Sequence, residues 1–215
     1  MLWADALNSF ILKLNKVYLI IEKMKVRLTL LFLAISVFHP HPGYSQSKSF
    51  DQTISIKEVQ EAQKGWCKAL IKISQIHSKS GLSKSKPLAS EIIDAAYGYN
   101  LGPVAFKPTW ANGKTSFRST RKGAISYFVG DDPAYNDKGF AIGTPSSTRS
   151  PWIKCRPQNN VIQVFGNTAN TMGWVHVEAK DGTKSTVDKT WTFIKDDAGN
   201  LRIVLHHSSS PFSGF

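Results

Sequence analysis

The spacing of apolar residues changes once along this chain, from a helical period to a two-residue alternation. Over residues 53–78 the apolar positions recur every three or four residues, which predicts one long amphipathic helix. Two shorter helices are predicted over 88–97 and 121–129, the second capped by Thr120. Residues 78–87, rich in Ser and Lys with one Gly, predict a linker between the first two helices.

Strands dominate the last third of the chain, beyond a predicted loop over 137–150. Alternating residues, separated by turns rich in Gly, Asn and Asp, predict strands at 152–156, 161–165, 169–178, 185–195 and 201–207. Short extended segments are also predicted at 104–109 and 140–142. Helices followed by hairpin-connected strands are typical of an α+β domain, here with a curved antiparallel sheet wrapped around the long helix. Such a cone has an open mouth, where a ligand pocket is expected.

The N-terminal region has the layout of an export signal. A short basic start at 24–27 precedes an apolar run at 28–38, and small residues then predict cleavage after Ser45. The apolar run would rise about 16 Å as a helix, which is too short to span a bilayer. An N-terminal anchor helix over 10–21 is the alternative.

These features predict a signal segment over 1–45, with Met24 as the true start, and one domain over 46–215. The mature protein is then expected to be periplasmic or secreted, without a stable membrane anchor. The chain has a formal net charge of +12, but its basic residues are scattered rather than clustered. This distribution favours weak attraction of small anions over nucleic-acid binding.

The chain has two cysteines, Cys67 and Cys155. In an oxidising compartment they are a candidate disulfide, which would close a large loop between the first helix and a mid-chain strand. Two separate buried thiols are the alternative. The pair lacks a C-x-x-C spacing and therefore does not indicate a structural metal site.

The histidines give little support for a metal site. His77 is expected at the solvated end of the first helix, and the role of His176 stays open. Adjacent strand residues point to opposite faces, so His206 and His207 cannot easily hold one metal together. No H-x-H or H-E-x-x-H spacing is present, so zinc or manganese is disfavoured, although carboxylates could supply ligands. Both faces of this strand are half apolar, so periodicity does not decide which histidine faces the pocket.

Several motifs resemble those of one enzyme family. They are FKPT at 106–109, YFVG at 127–130, VDKTW at 187–191 and HHSS at 206–209. On these motifs, residues 55–211 resemble the iota-class carbonic anhydrases. That class is built on the association domain of calcium/calmodulin-dependent kinase II, within the nuclear transport factor 2-like (NTF2-like) superfamily. FKPT, YFVG and HHSS are specific in combination, far more than any one of them alone.

The resemblance implies a cone-shaped α+β fold, usually dimeric, that hydrates CO₂ reversibly to bicarbonate. The pocket would lie between the long helix and the sheet. The class has been described both as metal-free and as metal-dependent, and the scarcity of suitable histidines here favours a reaction without a metal cofactor.

The resemblance also implies a set of site residues. The catalytic residues carried over by motif are Thr109, Tyr127, His207 and Ser209. Because CO₂ is small and apolar, Phe106, Phe128 and Trp66 are expected to form a dry wall that binds it, and Ser208 is also expected to bind substrate. The hydroxyls of Thr109 and Ser209 would contact bicarbonate, while Tyr127 would orient the attacking water or act as its base. His207, titrating near neutrality, would carry the proton. The resemblance selects the His207 face of the last strand, and His206 is interpreted as structural.

Two other functions stay open. The first is a non-catalytic assembly module like the kinase association domain, although no kinase or other partner domain accompanies this one in the sequence. The second is a different small-molecule enzyme, since cones of this superfamily host several chemistries. Such enzymes usually place an Asp and a His in the pocket. The obvious acids here are expected in turns: Asp131, Asp132, Asp181, Asp196 and Asp197.

Overall fold

The computed structural model describes residues 53–213. The predicted signal segment, its cleavage site, the start at Met24 and the alternative anchor helix lie outside the described residues. The helices are α1 (Ile56–Ser80), α2 (Leu82–Ala96) and α3 (Arg121–Val129), with single 3₁₀ turns at Gly113–Thr115 and Phe140–Ile142. The strands are β1 (Ala105–Lys107), β2 (Trp152–Phe165), β3 (Thr168–Ala179), β4 (Lys184–Lys195) and β5 (Leu201–Ser209).

Helix α1 confirms the long amphipathic helix predicted from the sequence. It begins at a capping box, in which the Glu58 N–H donates to the Ser55 hydroxyl (3.2 Å) and the Ser55 N–H donates to the Glu58 carboxylate (2.8 Å). Its buried face is formed by Val59, Gln63, Trp66, Cys67, Leu70, Ile73 and Ser74. This face packs against the sheet and fills the centre of the domain.

The linker predicted at 78–87 is wrong, because Gly81 alone separates α1 from α2. Gly81 has a φ of 68°, a left-handed conformation that glycine adopts without strain, and it turns the chain between the helices. Helix α2 then runs through Pro87. Its buried Ser85 lies 3.0 Å from Nδ1 of His77 near the end of α1. The polar segment is therefore helical on both sides of Gly81, and Ser85 is buried where the two helices pack together.

The sheet has the strand order β1-β5-β4-β3-β2. Strands β2 to β5 form the predicted antiparallel meander. One edge of the sheet adds a parallel strand to this meander, since β1 pairs with β5 in parallel and Phe106 lies opposite His206. No hairpin joins β1 to β5, so their relative direction is not fixed by a short turn.

Three local predictions have different outcomes. Helix α3 is confirmed, and the Thr120 hydroxyl accepts from the Gly123 N–H at 3.1 Å. The strands predicted at 152–156 and 161–165 are one strand, β2, which carries an irregularity between Asn159 and Val161. Residues 140–142 form a 3₁₀ turn rather than the predicted strand.

The predicted disulfide is confirmed. Cys67 in α1 and Cys155 in β2 are bonded across a sequence separation of 88 residues, so the bridge ties the central helix to the sheet. The α+β architecture, with a curved sheet around the long helix, is also confirmed. Within residues 53–213, no helix has the length and apolar character needed to cross a membrane.

Candidate active site

Strand β5 turns one histidine and one serine into the interior of the domain. His206 and Ser208 are each 1% exposed, whereas His207 is exposed and Ser209 is half-buried. The Ser209 hydroxyl donates to the Asp188 carboxylate on the other face of the sheet, at 3.3 Å. The predicted pocket face, His207 with Ser209, is therefore wrong by one residue, and the residue interpreted as structural is the histidine that points inward.

A β-bulge in β5 causes this shift. Ile203 is buried, so strict alternation along the strand would also point Leu205, His207 and Ser209 inward. In the pairing with β4, however, Thr192 lies opposite Leu205 and Phe193 lies opposite Ile203. Val204 is thus an extra residue in β5, and beyond it the alternation is reversed.

Three hydroxyl groups from separate elements meet beside the end of β5, and we call Thr109, Tyr127 and Ser208 the hydroxyl cluster. Thr109 follows β1, and its Oγ1 lies 2.5 Å from Oγ of Ser208. The phenol of Tyr127, from α3, lies close enough to Thr109 and to the backbone of Trp110 for these groups to influence its pKa. The structure thus brings together two predicted catalytic residues and one predicted substrate-binding residue. Their roles stay predictions.

The protonation state of Tyr127 follows from its surroundings. Burial raises the pKa of its phenol well above the usual value, and the neighbouring Trp110 and Thr109 only partly oppose this effect. Tyr127 is therefore a neutral phenol at physiological pH. It can donate a hydrogen bond or orient a water molecule, but it is a poor base.

His206 lies inside a chain of four buried side chains, which we call the interior chain: Trp66, Tyr97, His206 and Lys189. The Trp66 indole N–H donates to the Tyr97 oxygen at 3.1 Å, and the same oxygen lies 2.8 Å from Nδ1 of His206. Nε2 of His206 lies 2.8 Å from Nζ of Lys189. Burial lowers the pKa of His206 well below 6.5, and the nearby Lys189 adds to this effect. His206 is therefore neutral, with both ring nitrogens engaged.

Sequence reasoning missed Tyr97 and Lys189 as candidate site residues. A signal for Lys189 was present, because it alternates along β4 with Val187 and Trp191, and all three side chains are buried. Lysine rarely lies on the apolar face of a strand, so this pattern predicts a buried lysine side chain. Tyr97 directly follows α2, and no periodic signal distinguished it from ordinary core.

The aromatic residues predicted to bind substrate form a continuous apolar wall. The Phe106 ring stacks on His206 with centroids 4.4 Å apart, and it stacks on Phe128 at 5.9 Å. Trp66 meets Phe128 edge-on at 6.2 Å. Phe106 also contacts Tyr127 edge-on at 5.5 Å, which joins this wall to the hydroxyl cluster. Contact of the wall with substrate stays a prediction.

A polar cleft of about 420 Å³ adjoins the site, and Tyr127 forms part of its wall. Deep in this cleft, the buried Arg118 donates to the Asp137 carboxylate at 2.7 Å, and the Ser126 hydroxyl donates to the same carboxylate at 2.6 Å. Arg118 is therefore a paired interior cation. Arg202, by contrast, pairs with Asp196 near the turn that precedes β5, away from the hydroxyl cluster.

Across residues 53–213, no group of three or more His, Cys, Asp or Glu side chains has a geometry that could hold a metal ion. His77 bonds to Ser85, and the ring nitrogens of His176 lie near Thr186 (2.9 Å) and Gln158 (3.2 Å). What the arrangement offers is a set of hydroxyl donors and an uncharged histidine beside an apolar wall. Such a site suits a small apolar substrate that becomes an oxyanion.

Comparison with known proteins gives a consistent result. A family model described as metal-independent carbonic anhydrase matches residues 57–210. The metal-independent carbonic anhydrase of Nostoc sp. strain PCC 7120 is 50% identical over 163 residues, which are 75% of this chain and 76% of that protein. A solved structure of the iota-carbonic anhydrase from a cyanobacterium, complexed with bicarbonate, is 49% identical. It superposes with a TM-score of 0.72 over 77% of this chain and 97% of its own. The chain belongs to the metal-independent, iota-class carbonic anhydrases.

Proposed function

We propose that this protein catalyses the reversible hydration of CO₂ to bicarbonate, without a metal, at the hydroxyl cluster of Thr109, Tyr127 and Ser208. The observation that carries the proposal is the convergence of these three hydroxyls from three elements at the edge of a buried aromatic wall. The similar cyanobacterial structure was solved in complex with bicarbonate, and its 49% sequence identity to this chain supports the same ligand here.

The chemistry of the reaction fits these surroundings. CO₂ is apolar, so it can lie against Phe106 and Phe128 at little desolvation cost. As the oxygen of a water molecule bonds to the carbon, one C=O electron pair moves onto oxygen, and negative charge develops there. In the pair formed by Thr109 and Ser208, one hydroxyl donates to the other, so one proton stays available for the developing oxyanion. The neutral phenol of Tyr127 supplies a further donor.

Stopped-flow measurement of CO₂ hydration by the purified protein, with and without a metal chelator, tests this function. The expected result is a rate well above the buffer control that the chelator leaves unchanged. The absence of activity in both conditions would contradict the function and favour the non-catalytic module. Activity that disappears on chelation and returns with Zn²⁺ or Mn²⁺ would keep the reaction but contradict the metal-free mechanism.

The protein is further proposed to act outside the cytoplasm, after removal of residues 1–45. The Cys67–Cys155 disulfide supports this location, because such bridges persist in oxidising compartments. Mass spectrometry of the protein recovered from its native host should give a mature N-terminus at Gln46. A full-length protein with reduced cysteines would contradict this localisation.

A homodimer is proposed as the working form, as the family resemblance implies. An exposed apolar patch on the outer side of the sheet supports it, since Val161 lies opposite Met172 in the β2–β3 ladder and Phe165 follows on the same side of β2. Light scattering after size-exclusion chromatography should give twice the monomer mass, and Met172→Lys should reduce it to the monomer mass. A monomeric wild-type protein would contradict the proposal.

A further inference from the structure

Lys189 is a buried amine without a carboxylate partner among residues 53–213. Its side chain is 4% exposed, and Nζ lies over the rings of Trp66 and Trp191, at 5.0 Å and 5.6 Å from their centroids. Among the ion pairs of residues 53–213, none involves Lys189. Its polar contact is Nε2 of His206, at 2.8 Å. The two indole faces attract an ammonium, but burial disfavours the charge more strongly and lowers the pKa of Lys189.

The interior chain has a single order of donors and acceptors, because the Trp66 indole at its start can only donate a hydrogen bond. Trp66 can only donate, so the Tyr97 oxygen accepts from it, and the Tyr97 hydroxyl proton has Nδ1 of His206 as its acceptor. Nδ1 then carries no proton, and the neutral imidazole carries its proton on Nε2. Lys189 must therefore accept from His206, which requires the uncharged amine with its free electron pair. In the opposite polarity the Tyr97 proton would have no partner.

Lys189 also neighbours one member of the hydroxyl cluster, Ser208. Lys189 is the cross-strand partner of Ser208 in the β4–β5 ladder, and both side chains are buried on the inner face of the sheet. Directly opposite residues of neighbouring strands have Cβ atoms about 4.5–5.5 Å apart, within reach of a long lysine side chain. Ser208 thus neighbours both Thr109, whose Oγ1 lies 2.5 Å from its own hydroxyl oxygen, and Lys189, the only buried lysine of residues 53–213.

We propose that Lys189 is the proton acceptor of the reaction, with Trp66, Tyr97 and His206 as residues that position its amine and hold it neutral. This inference rests on the proposed CO₂ hydration. The water oxygen forms a bond to carbon, one C=O electron pair moves onto oxygen, and one water proton moves to the electron pair of Nζ, whose hydrogen bond from the Nε2–H of His206 breaks as that proton arrives. Bicarbonate and an ammonium group result, and the ammonium then loses its proton to solvent.

The interior chain also favours the later loss of the proton from the Lys189 ammonium. Once protonated, Nζ faces the Nε2–H of His206, so two donors oppose each other and the ammonium is destabilised. Burial itself lowers the pKa of Lys189 to about 7, which suits a group that must accept and release a proton near neutral pH.

Other charged or titratable groups lie near Lys189. From β5 these are His206 and, on the opposite face, His207, whose pKa Lys189 helps to lower. From β1, Lys107 donates to the Ser208 carbonyl, and Asp188 precedes Lys189 on the outer face of β4. From α1, the uncharged indole of Trp66 lies against Nζ, with its ring centroid at 5.0 Å. Within residues 53–213, Lys189 forms no ion pair with a carboxylate, so no carboxylate stabilises its charged form.

The first test replaces Lys189 and measures kcat/KM for CO₂ hydration against pH. Wild type should lose activity below neutral pH as the amine becomes protonated, and Lys189→Met should lose about 100-fold and no longer show that ionisation. Lys189→Arg keeps a cation that cannot deprotonate, so it should be as impaired as the methionine variant. Lys184→Met, at an exposed position of the same strand, is the matched control and should match wild type.

Each outcome has a distinct meaning. An inactive wild-type protein would overturn the proposed function itself. An active wild type with an unchanged rate and pH profile in Lys189→Met would overturn only the role of Lys189. Rescue by Lys189→Arg would also overturn it, because arginine could replace a structural or electrostatic cation but not a proton acceptor.

A second test addresses the interior chain without altering the amine. Tyr97→Phe removes the hydroxyl that accepts from Trp66 and donates to Nδ1 of His206. The imidazole proton can then lie on Nδ1, which leaves Nε2 free to accept from a Lys189 ammonium. The amine then becomes more basic, so the acidic limb of the pH profile should move to higher pH, with activity recovering towards the wild-type value at alkaline pH. A uniform loss at every pH, with no shift of the limb, would show that Tyr97 is only a packing residue and would overturn the positioning role.

Discussion

The two faces of β5 carry the same residue types in the same order, yet their environments are opposite. The inner face has His206 stacked on an aromatic ring and Ser208 bonded to Thr109. The outer face has His207 in solvent and Ser209 bonded to a surface carboxylate. The inner pair belongs to two hydrogen-bonded groups, the interior chain and the hydroxyl cluster, whereas His207 is exposed and the Ser209 hydroxyl bonds to Asp188 outside them.

This contrast teaches that residue type alone does not identify a functional histidine or serine. In water, the two histidines have the same intrinsic pKa and the two serines the same hydroxyl. Burial gives the inner pair fixed partners, a fixed tautomer and a low dielectric, and these are the properties that electrostatic catalysis needs. The sharpest experiments therefore compare matched substitutions on the two faces.

The largest expected difference is in activity. Ser208→Ala removes a donor for the developing oxyanion and should lower kcat/KM about 100-fold, as loss of a single preorganised donor does elsewhere. Ser209→Ala should change it by less than about twofold, because that hydroxyl lies outside the interior. Stopped-flow CO₂ hydration of both variants gives the comparison. Equal losses in the two variants would break the assignment of the inner face.

A smaller difference is expected in stability. His206→Phe keeps an aromatic ring against Phe106 but leaves the Tyr97 hydroxyl and the Lys189 amine without their buried partner. The free energy of unfolding in urea should fall by about 2 kcal/mol. His207→Phe, at an exposed position, should change it by no more than about 0.5 kcal/mol. The comparison fails if the outer variant is the less stable of the two.

The smallest expected effect is in the pH dependence of stability. Burial keeps the pKa of His206 well below 6.5 in the folded protein, whereas the unfolded chain has an ordinary imidazole. The unfolded state therefore binds more protons below about pH 6.5, and the free energy of unfolding should decrease as the pH falls through that value. His206→Phe should flatten this decrease more than His207→Phe, whose imidazole has a pKa lowered only by partial burial and nearby lysines. Urea unfolding at about pH 5 and pH 7.5 measures both slopes.

Much of the fold could be predicted from local sequence. The capping hydroxyl of Thr120 determines where α3 begins, and the apolar period of α1 defines its buried face. Gly81 shows the limit of such reasoning, because a Ser- and Lys-rich segment around it resembles a linker but forms two closely packed helices. The parallel pairing of β1 with β5 was also beyond local reasoning, since these strands are far apart in the chain and no turn joins them.

The candidate site divides in the same way. Thr109 and Tyr127 could be identified from their motifs, and the structure places them in contact. Lys189 was visible only as a lysine in an alternating strand. Its interest comes from the side chains of α1 and β5 that remove it from water, and these lie more than a dozen residues away in sequence.

The sequence by itself determined the α+β order of elements, the long central helix and the family, because each depends on local spacing or on residue identity, whereas the structure decided that Cys67 and Cys155 pair. Only the tertiary structure decided which face of β5 is the working face. One extra residue, Val204, reverses the alternation of the strand, and its position depends on how β5 pairs with β4 rather than on any property of β5 alone. That single bulge places His206 and Ser208, rather than His207 and Ser209, beside the aromatic wall.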